Sequence, residues 1–164
     1  MAYEIDISDD FISANTSVNI ESLQSAVETG LQTEGVASAV LSITLVDNAT
    51  IHRINKEHLQ HDFPTDVISF QLEWSHPRRS SPGNSAEGRA EGAGIEGEIV
   101  ASTEYALAES VRHEWPVQSE LTLYVVHGML HICGYDDLDP AEQAIMRNRE
   151  TVVFDRLGLS PVPR

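Results

Sequence analysis

The segment His127-Gly128-Met129-Leu130-His131-Ile132-Cys133-Gly134-Tyr135-Asp136-Asp137 holds the residue types best suited to chemistry in this sequence. On a helix, positions i and i+4 lie on one face, one above the other. The imidazoles of His127 and His131 can therefore converge on a single cation. Gly134 permits the left-handed backbone that ends a helix, so the chain can fold back toward the same point. A carboxylate a few residues on, among Asp136, Asp137 and Asp139, can then offer an oxygen. Two imidazoles and one carboxylate leave an open position on a tetrahedral metal, which is the catalytic rather than the structural arrangement. Alternatives remain at this stage. Two buried histidines bonded to backbone would show the same spacing. Cys133 is a rival soft ligand, although its angle around the helix from His131 suits a small core residue. Asp136 and Asp139 are rival carboxylates.

Such a site needs a scaffold, and hydrophobic periodicity supplies one. Tyr3, Ile5 and Ile7 alternate with polar residues, as on an edge strand. Residues 17–35 read as an amphipathic helix with Asn19 as its cap, Leu23, Ala26, Val27 and Leu31 inward, and Gly35 as its stop. A strand is expected over 39–46 and a helix over 50–59, with Ile51, Ile54 and His58 inward. Further strands are expected over 66–72 and 95–101, and helices over 103–115 and 120–133. Asp139 followed by Pro140 opens a last helix, which runs to about Leu157. Interleaved strands and helices without internal repeats give one α+β domain over 1–164: a small central sheet flanked by helices, with the metal site on a helix and the turn after it.

Residues 75–94 read differently. Half of them are Gly, Pro or Ser, and none is an aliphatic larger than Ala. The expectation is a flexible insertion that adds nothing to the core.

Composition limits the function further. The 164 residues include 26 Asp and Glu against 10 Lys and Arg, a formal charge of −16, and Lys56 is the only lysine. Such a chain repels polyanions at long range, so a nucleic-acid function needs local basic groups or a metal. No apolar run reaches the ~20 residues that span a bilayer. The N-terminus lacks the basic start and apolar stretch of a secretory signal. A single cysteine excludes an internal disulfide and fits a reducing compartment. The expectation is a soluble cytoplasmic protein with no membrane partner.

The 127–137 segment resembles the signature H-G-x-L-H-x-x-G-Y-D-H of the YbeY family of single-strand endoribonucleases. Two upstream blocks extend the resemblance. Asn55 with Pro64-Thr65-Asp66-Val67-Ile68-Ser69-Phe70 resembles the family's N…P-T-D-V-L-S-F block. Gly97-Glu98-Ile99-Val100 resembles its G-D-I block, with Glu for Asp. Their order and spacing agree, so the resemblance covers roughly 41–157. It implies metal-dependent cleavage of single-stranded RNA, without DNA, in ribosomal RNA maturation at the small-subunit 3′ end and in ribosome quality control. It implies one zinc ion on His127, His131 and Asp137, and it makes Thr65, Asp66 and Ser69 the candidate substrate contacts.

Two departures stand out. Asp137 replaces the family's last histidine, which favours tolerance of other divalent metals through oxygen ligation. Leu59 stands where the family often has an arginine thought to contact RNA, leaving Arg53 and Lys56 as candidate substitutes. The competing readings are a metalloprotease-like hydrolase and a non-catalytic ribosome-associated metal module. The protease motif H-E-x-x-H places a general base beside the first histidine. Here that position is Gly128, so a base would have to come from elsewhere, for example Glu98.

Overall fold

Alternation of buried and exposed side chains makes half-buried strands, and caps divide the helices from them. This computed structural model describes residues 2–11, 18–75, 88–159 and 161–163. The elements run β1 (Ala2–Asp9), α1 (Ile20–Thr33), β2 (Ser38–Val46), α2 (Asn48–Leu59), β3 (Val67–Trp74), β4 (Gly94–Ser102), α3 (Thr103–His113), α4 (Val117–Ile132) and α5 (Pro140–Leu157). The four strands form one sheet in the order β1-β2-β4-β3. β1, β2 and β4 are parallel and β3 is antiparallel. This is the expected α+β arrangement of a small sheet flanked by helices.

The caps explain where helices begin. The side chains of Asn19, Asp47, Ser102 and Asp139 accept from the backbone N–H groups of Ser22, Thr50, Tyr105 and Glu142 at 3.0, 2.7, 3.0 and 2.9 Å. Each cap is worth about 1 kcal/mol. The Thr50 hydrogen bonds hold the half-buried Asp47 carboxyl below its ordinary value.

The main core lies between one sheet face and α1, α4 and α5, around Leu23, Leu41, Ile43, Ile99, Met129 and Phe154. On the other face, α2 packs Ile51 against Val46 and Ile68. α4 is the central helix and is apolar around most of its circumference, as buried helices are. Its close seating needs glycines. A Cβ on Gly97 would stand 2.6 Å from Ile132 Cδ1 and 2.8 Å from the Phe70 carbonyl oxygen. A Cβ on Gly128 would stand 3.0 Å from Ile99 Cγ2.

Several expectations need correction. α4 starts at Val117 rather than 120, because Pro116 already serves as its N-cap residue. His58 is exposed; Asn55, not His58, joins Ile51 as a buried residue of α2. α3 stops at His113, where Glu114 takes a left-handed φ of 55°. Within the expected insertion 75–94, residues 76–87 lie outside the described residues. Residues 88–94 do contribute to the core: Ala90 and Ala93 are fully buried in it. Small side chains served there because the backbone itself approaches, with Gly92 donating to Gly35 O at 2.8 Å.

Candidate metal centre

α4 carries His127 and His131 one turn apart, and the turn after it returns Asp137 to them. Gly134 makes that turn with a φ of 98°. His127 Nε2 and His131 Nε2 stand 3.1 Å apart. Asp137 Oδ2 lies 3.4 Å from the first and Asp137 Oδ1 lies 3.7 Å from the second. One ligand atom from each residue fits within 4.8 Å of the others.

The outer ring nitrogens fix the tautomers. His127 Nδ1 sits 2.6 Å from Glu150 Oε2, a carboxylate that can only accept. His131 Nδ1 sits 3.1 Å from the Tyr135 carbonyl oxygen, also an acceptor. In the neutral rings each Nδ1 is therefore the N–H, and each Nε2 presents a lone pair. Two lone pairs and a carboxylate facing one another repel unless a metal ion, or a proton on His127, lies between them. Ligands at 2.0–2.1 Å around a tetrahedral zinc are separated by about 3.4 Å. The Nε2 pair, 3.1 Å apart, is close to that separation, while the 3.4 and 3.7 Å spacings run to different Asp137 oxygens, so binding an ion through one of them needs a small rotation of the carboxylate.

The two imidazoles differ electrostatically. Burial, the largest influence on His127, pulls its pKa down. The Glu150 hydrogen bond and charge, with Asp66 and Asp137, together outweigh it and hold His127 above its ordinary value. His131 is lowered, first by burial and then by the neighbouring His127, against the pull of Asp137.

A second layer braces the turn. The Tyr135 hydroxyl donates to Glu34 Oε1 at 2.5 Å, and Arg149 Nη2 meets Glu34 Oε2 at 2.6 Å. Burial and that Glu34 contact push the Tyr135 phenol up. Arg89 donates to the Gly134 carbonyl at 3.3 Å and to Glu142 at 2.9 Å, and its guanidinium lies 4.8 Å from the Tyr135 ring centroid. The turn that presents Asp137 is thus held by Glu34 just after α1, by α5 and by the segment before β4.

The rival ligands have other work. Asp136 Oδ1 accepts from Asp137 N at 2.7 Å within the turn. Asp139 caps α5. Cys133 is fully buried beside Met129, and burial pushes its thiol up.

Of the candidate substrate residues, Asp66 lines the cavity of about 380 Å³ that also contains His127, Asp137 and Glu150. Its Oδ1 accepts from Val67 N at 2.7 Å and from Thr65 Oγ1 at 3.2 Å. Thr65 and Ser69 do not line that cavity; Ser69 sits farther along β3, opposite Ile99. Leu59 is exposed at the end of α2. Glu98 projects from the sheet face away from α4, because its neighbours Gly97 and Ile99 are the ones that meet α4. Glu98 therefore cannot supply a base to this centre, which corrects the suggestion made for the protease reading.

Sequence reasoning missed Glu150, Tyr135's carbonyl and the Glu34–Arg149 pair. Glu150 follows Arg147-Asn148-Arg149 and reads as part of a solvated helix face. The only available signal was that His127 needed a partner for its second nitrogen.

The family model described as Endoribonuclease YbeY matches residues 4–158. A protein of that name from Rhodopirellula baltica is 41% identical over 128 residues, covering 77% of this chain and 58% of the relative. One from Salinibacter ruber is 38% identical, covering 78% of this chain and 76% of the relative. One from Bacillus subtilis is 32% identical, covering 97% and 98%. A solution structure from Thermotoga maritima shares the fold, with a TM-score of 0.56 at 20% identity over 96% of this chain and 93% of that one. On the match across 4–158 and these relatives, the chain belongs to the endoribonuclease YbeY family.

Proposed function

We propose that this chain is a metal-dependent endoribonuclease of ribosomal RNA maturation that cuts single-stranded RNA, with His127, His131 and Asp137 holding one zinc ion. The observation that carries the reading is the pair of Nε2 lone pairs 3.1 Å apart, each locked by its Nδ1 partner, beside an open carboxylate. An ion bound there supplies Lewis acidity, lowering the pKa of a water and polarising a phosphoryl oxygen. The chain's own groups do the rest. Glu150 and the Tyr135 carbonyl orient the imidazoles. Asp66 stands at the edge of the same cavity, placed to accept from a ribose hydroxyl.

The family resemblance supports action at the small-subunit 3′ end, a role in ribosome quality control, ribosomal partners and a cytoplasmic location. No helix among the described residues is long and apolar enough to cross a membrane. The carboxylate ligand favours tolerance of harder ions such as Mn²⁺.

Peptide hydrolysis is disfavoured by position as well as residue type. Gly128 faces Ile99 and Val67, so a glutamate there would run into the sheet instead of the centre. The test is cleavage of a single-stranded RNA and of casein by one clean preparation, with and without chelator. RNA cleavage lost on chelation supports the reading. Casein degraded and RNA intact would establish a protease, and neither activity would leave a non-catalytic metal module.

A further inference from the structure

Phe63 is the only Phe, Tyr or Trp among the described residues that counts as exposed, at 53%. It lies in the loop between α2 and β3. Its ring stacks on that of His61, with centroids 5.4 Å apart and planes inclined by 9°. Beside them His58 meets Phe70 edge-on, at 6.0 Å and 77°.

The loop is built to hold this display. Asn55, buried at 2% exposure, donates from Nδ2 to the Phe63 carbonyl at 3.0 Å. The Asn55 carbonyl accepts from His61 N at 3.1 Å. Gln60 takes a left-handed φ of 60° to make the corner. His52 Nε2 fastens Asp62 at 2.8 Å. A buried asparagine therefore fixes a backbone that shows a phenyl ring to water, although burying such a ring is worth about 1.5–3 kcal/mol.

The surroundings point to the ligand. Residues 52–63 carry Arg53 and Lys56 against Glu57 and Asp62, two charges of each sign, in a chain of net charge −16. This stretch also holds three of the seven histidines. A protein partner would call for a wide apolar area. Here the exposed apolar groups are two side chains, Leu59 and Phe63, in a stretch that also carries His52, His58, His61, Arg53 and Lys56. Single-stranded nucleic acid is met in this way: rings to stack on, with positive groups along the backbone. Phe63 is three residues from Asp66, so their Cα atoms lie within about 11 Å. Asp66 lines the cavity of the metal centre.

We infer that the Phe63–His61 stack is a base-stacking platform for a nucleobase of single-stranded RNA, a few nucleotides from the phosphate at the metal centre. The inference rests on the endoribonuclease reading above.

Binding of a labelled 2′-O-methyl oligoadenylate to the metal-loaded protein tests it, with the oligomer's integrity checked on a gel. A length-matched abasic ribose-phosphate oligomer is the control. Base–aromatic stacking of about 1–3 kcal/mol corresponds to roughly 5- to 150-fold in affinity. Phe63→Ala should weaken oligoadenylate binding by that factor and leave the abasic oligomer unaffected, while Phe63→Trp restores binding and its fluorescence is quenched by the RNA. Melting curves should be unchanged, because Phe63 belongs to neither core cluster. If the parent binds the oligoadenylate and Phe63→Ala binds it equally well, the platform is overturned and the patch is left to a protein partner. A parent that binds neither oligomer and cuts no RNA overturns the endoribonuclease reading, and the platform with it.

Discussion

Glu150 Oε2 lies 2.6 Å from His127 Nδ1, joining α5 to the first candidate ligand on α4. The carboxylate is buried, with its side chain 3% exposed. It fixes the imidazole's tautomer and makes its Nε2 more basic. Loss of such an outer partner commonly lowers metal affinity by about 10- to 100-fold. Glu150→Gln should show a drop of that size in competition with a zinc chelator. Zinc affinity equal to the parent's would mean that Glu150 braces the helices and does not tune the ligand.

The opposed shifts of the two histidines set how metal binding responds to pH. A metal needs both Nε2 atoms deprotonated. His127 is raised above its ordinary value and His131 is lowered below its own. Near pH ~6.5, the ordinary histidine value, His127 is therefore more than half protonated and His131 less than half. Zinc binding there should release about one proton, rising toward two as pH falls through the lowered His131 value. The sign for the metal-free fold follows from linkage. Protonated His127 stabilises it fully below the unfolded value, and that contribution fades as pH rises through the raised folded value. Calorimetry in buffers of different ionisation enthalpy counts the protons. Two protons released at pH ~6.5 would contradict the assignment.

Much of the scaffold was legible because its signals are local. Asn19, Asp139-Pro140 and Gly134 mark their boundaries within a few residues, and the i, i+4 pair His127–His131 needs only a helix to converge. What escaped depends on distant chain. Glu34 and Tyr135 are 101 residues apart in sequence, and no periodicity links them. Ala90 and Ala93 carry so little apolar surface that composition assigned them to a loop. Their burial follows from backbone contact with Gly35, which side-chain patterns do not record.

Glu34 is buried with its carboxylate between Arg149 and Tyr135. Removing one partner of a buried pair leaves an uncompensated charge, at a cost of about 3–5 kcal/mol. Glu34→Ala should destabilise by that amount in urea unfolding. The double variant Glu34→Leu, Arg149→Met should recover part of the loss, because no charge is then stranded. If the double variant is as unstable as the sum of the single ones, the pair is not coupled in the way its geometry implies.

Asp137 carries the sharpest prediction, because it stands where the family has histidine. Its two oxygens lie 3.4 and 3.7 Å from the two Nε2 atoms, and its side chain is 40% exposed. Asp136 and Asp139 are occupied by the turn and the α5 cap. Asp137→Ala should therefore lose metal affinity. Asp136→Ala should retain it, and Asp139→Ala should lose only about 1 kcal/mol of stability with its cap. An anionic oxygen ligand cancels a unit of the ion's charge, which a neutral imidazole does not. The water at the ion is then less acidic than with three histidines, so activity should peak at higher pH. Asp137→His should keep the metal, move the pH optimum downward and narrow the range of accepted ions from Mn²⁺ toward zinc. Chelator competition and pH–rate profiles on these variants check each step. Metal bound as tightly by Asp137→Ala as by the parent, and lost from Asp136→Ala, would transfer the ligand role to Asp136.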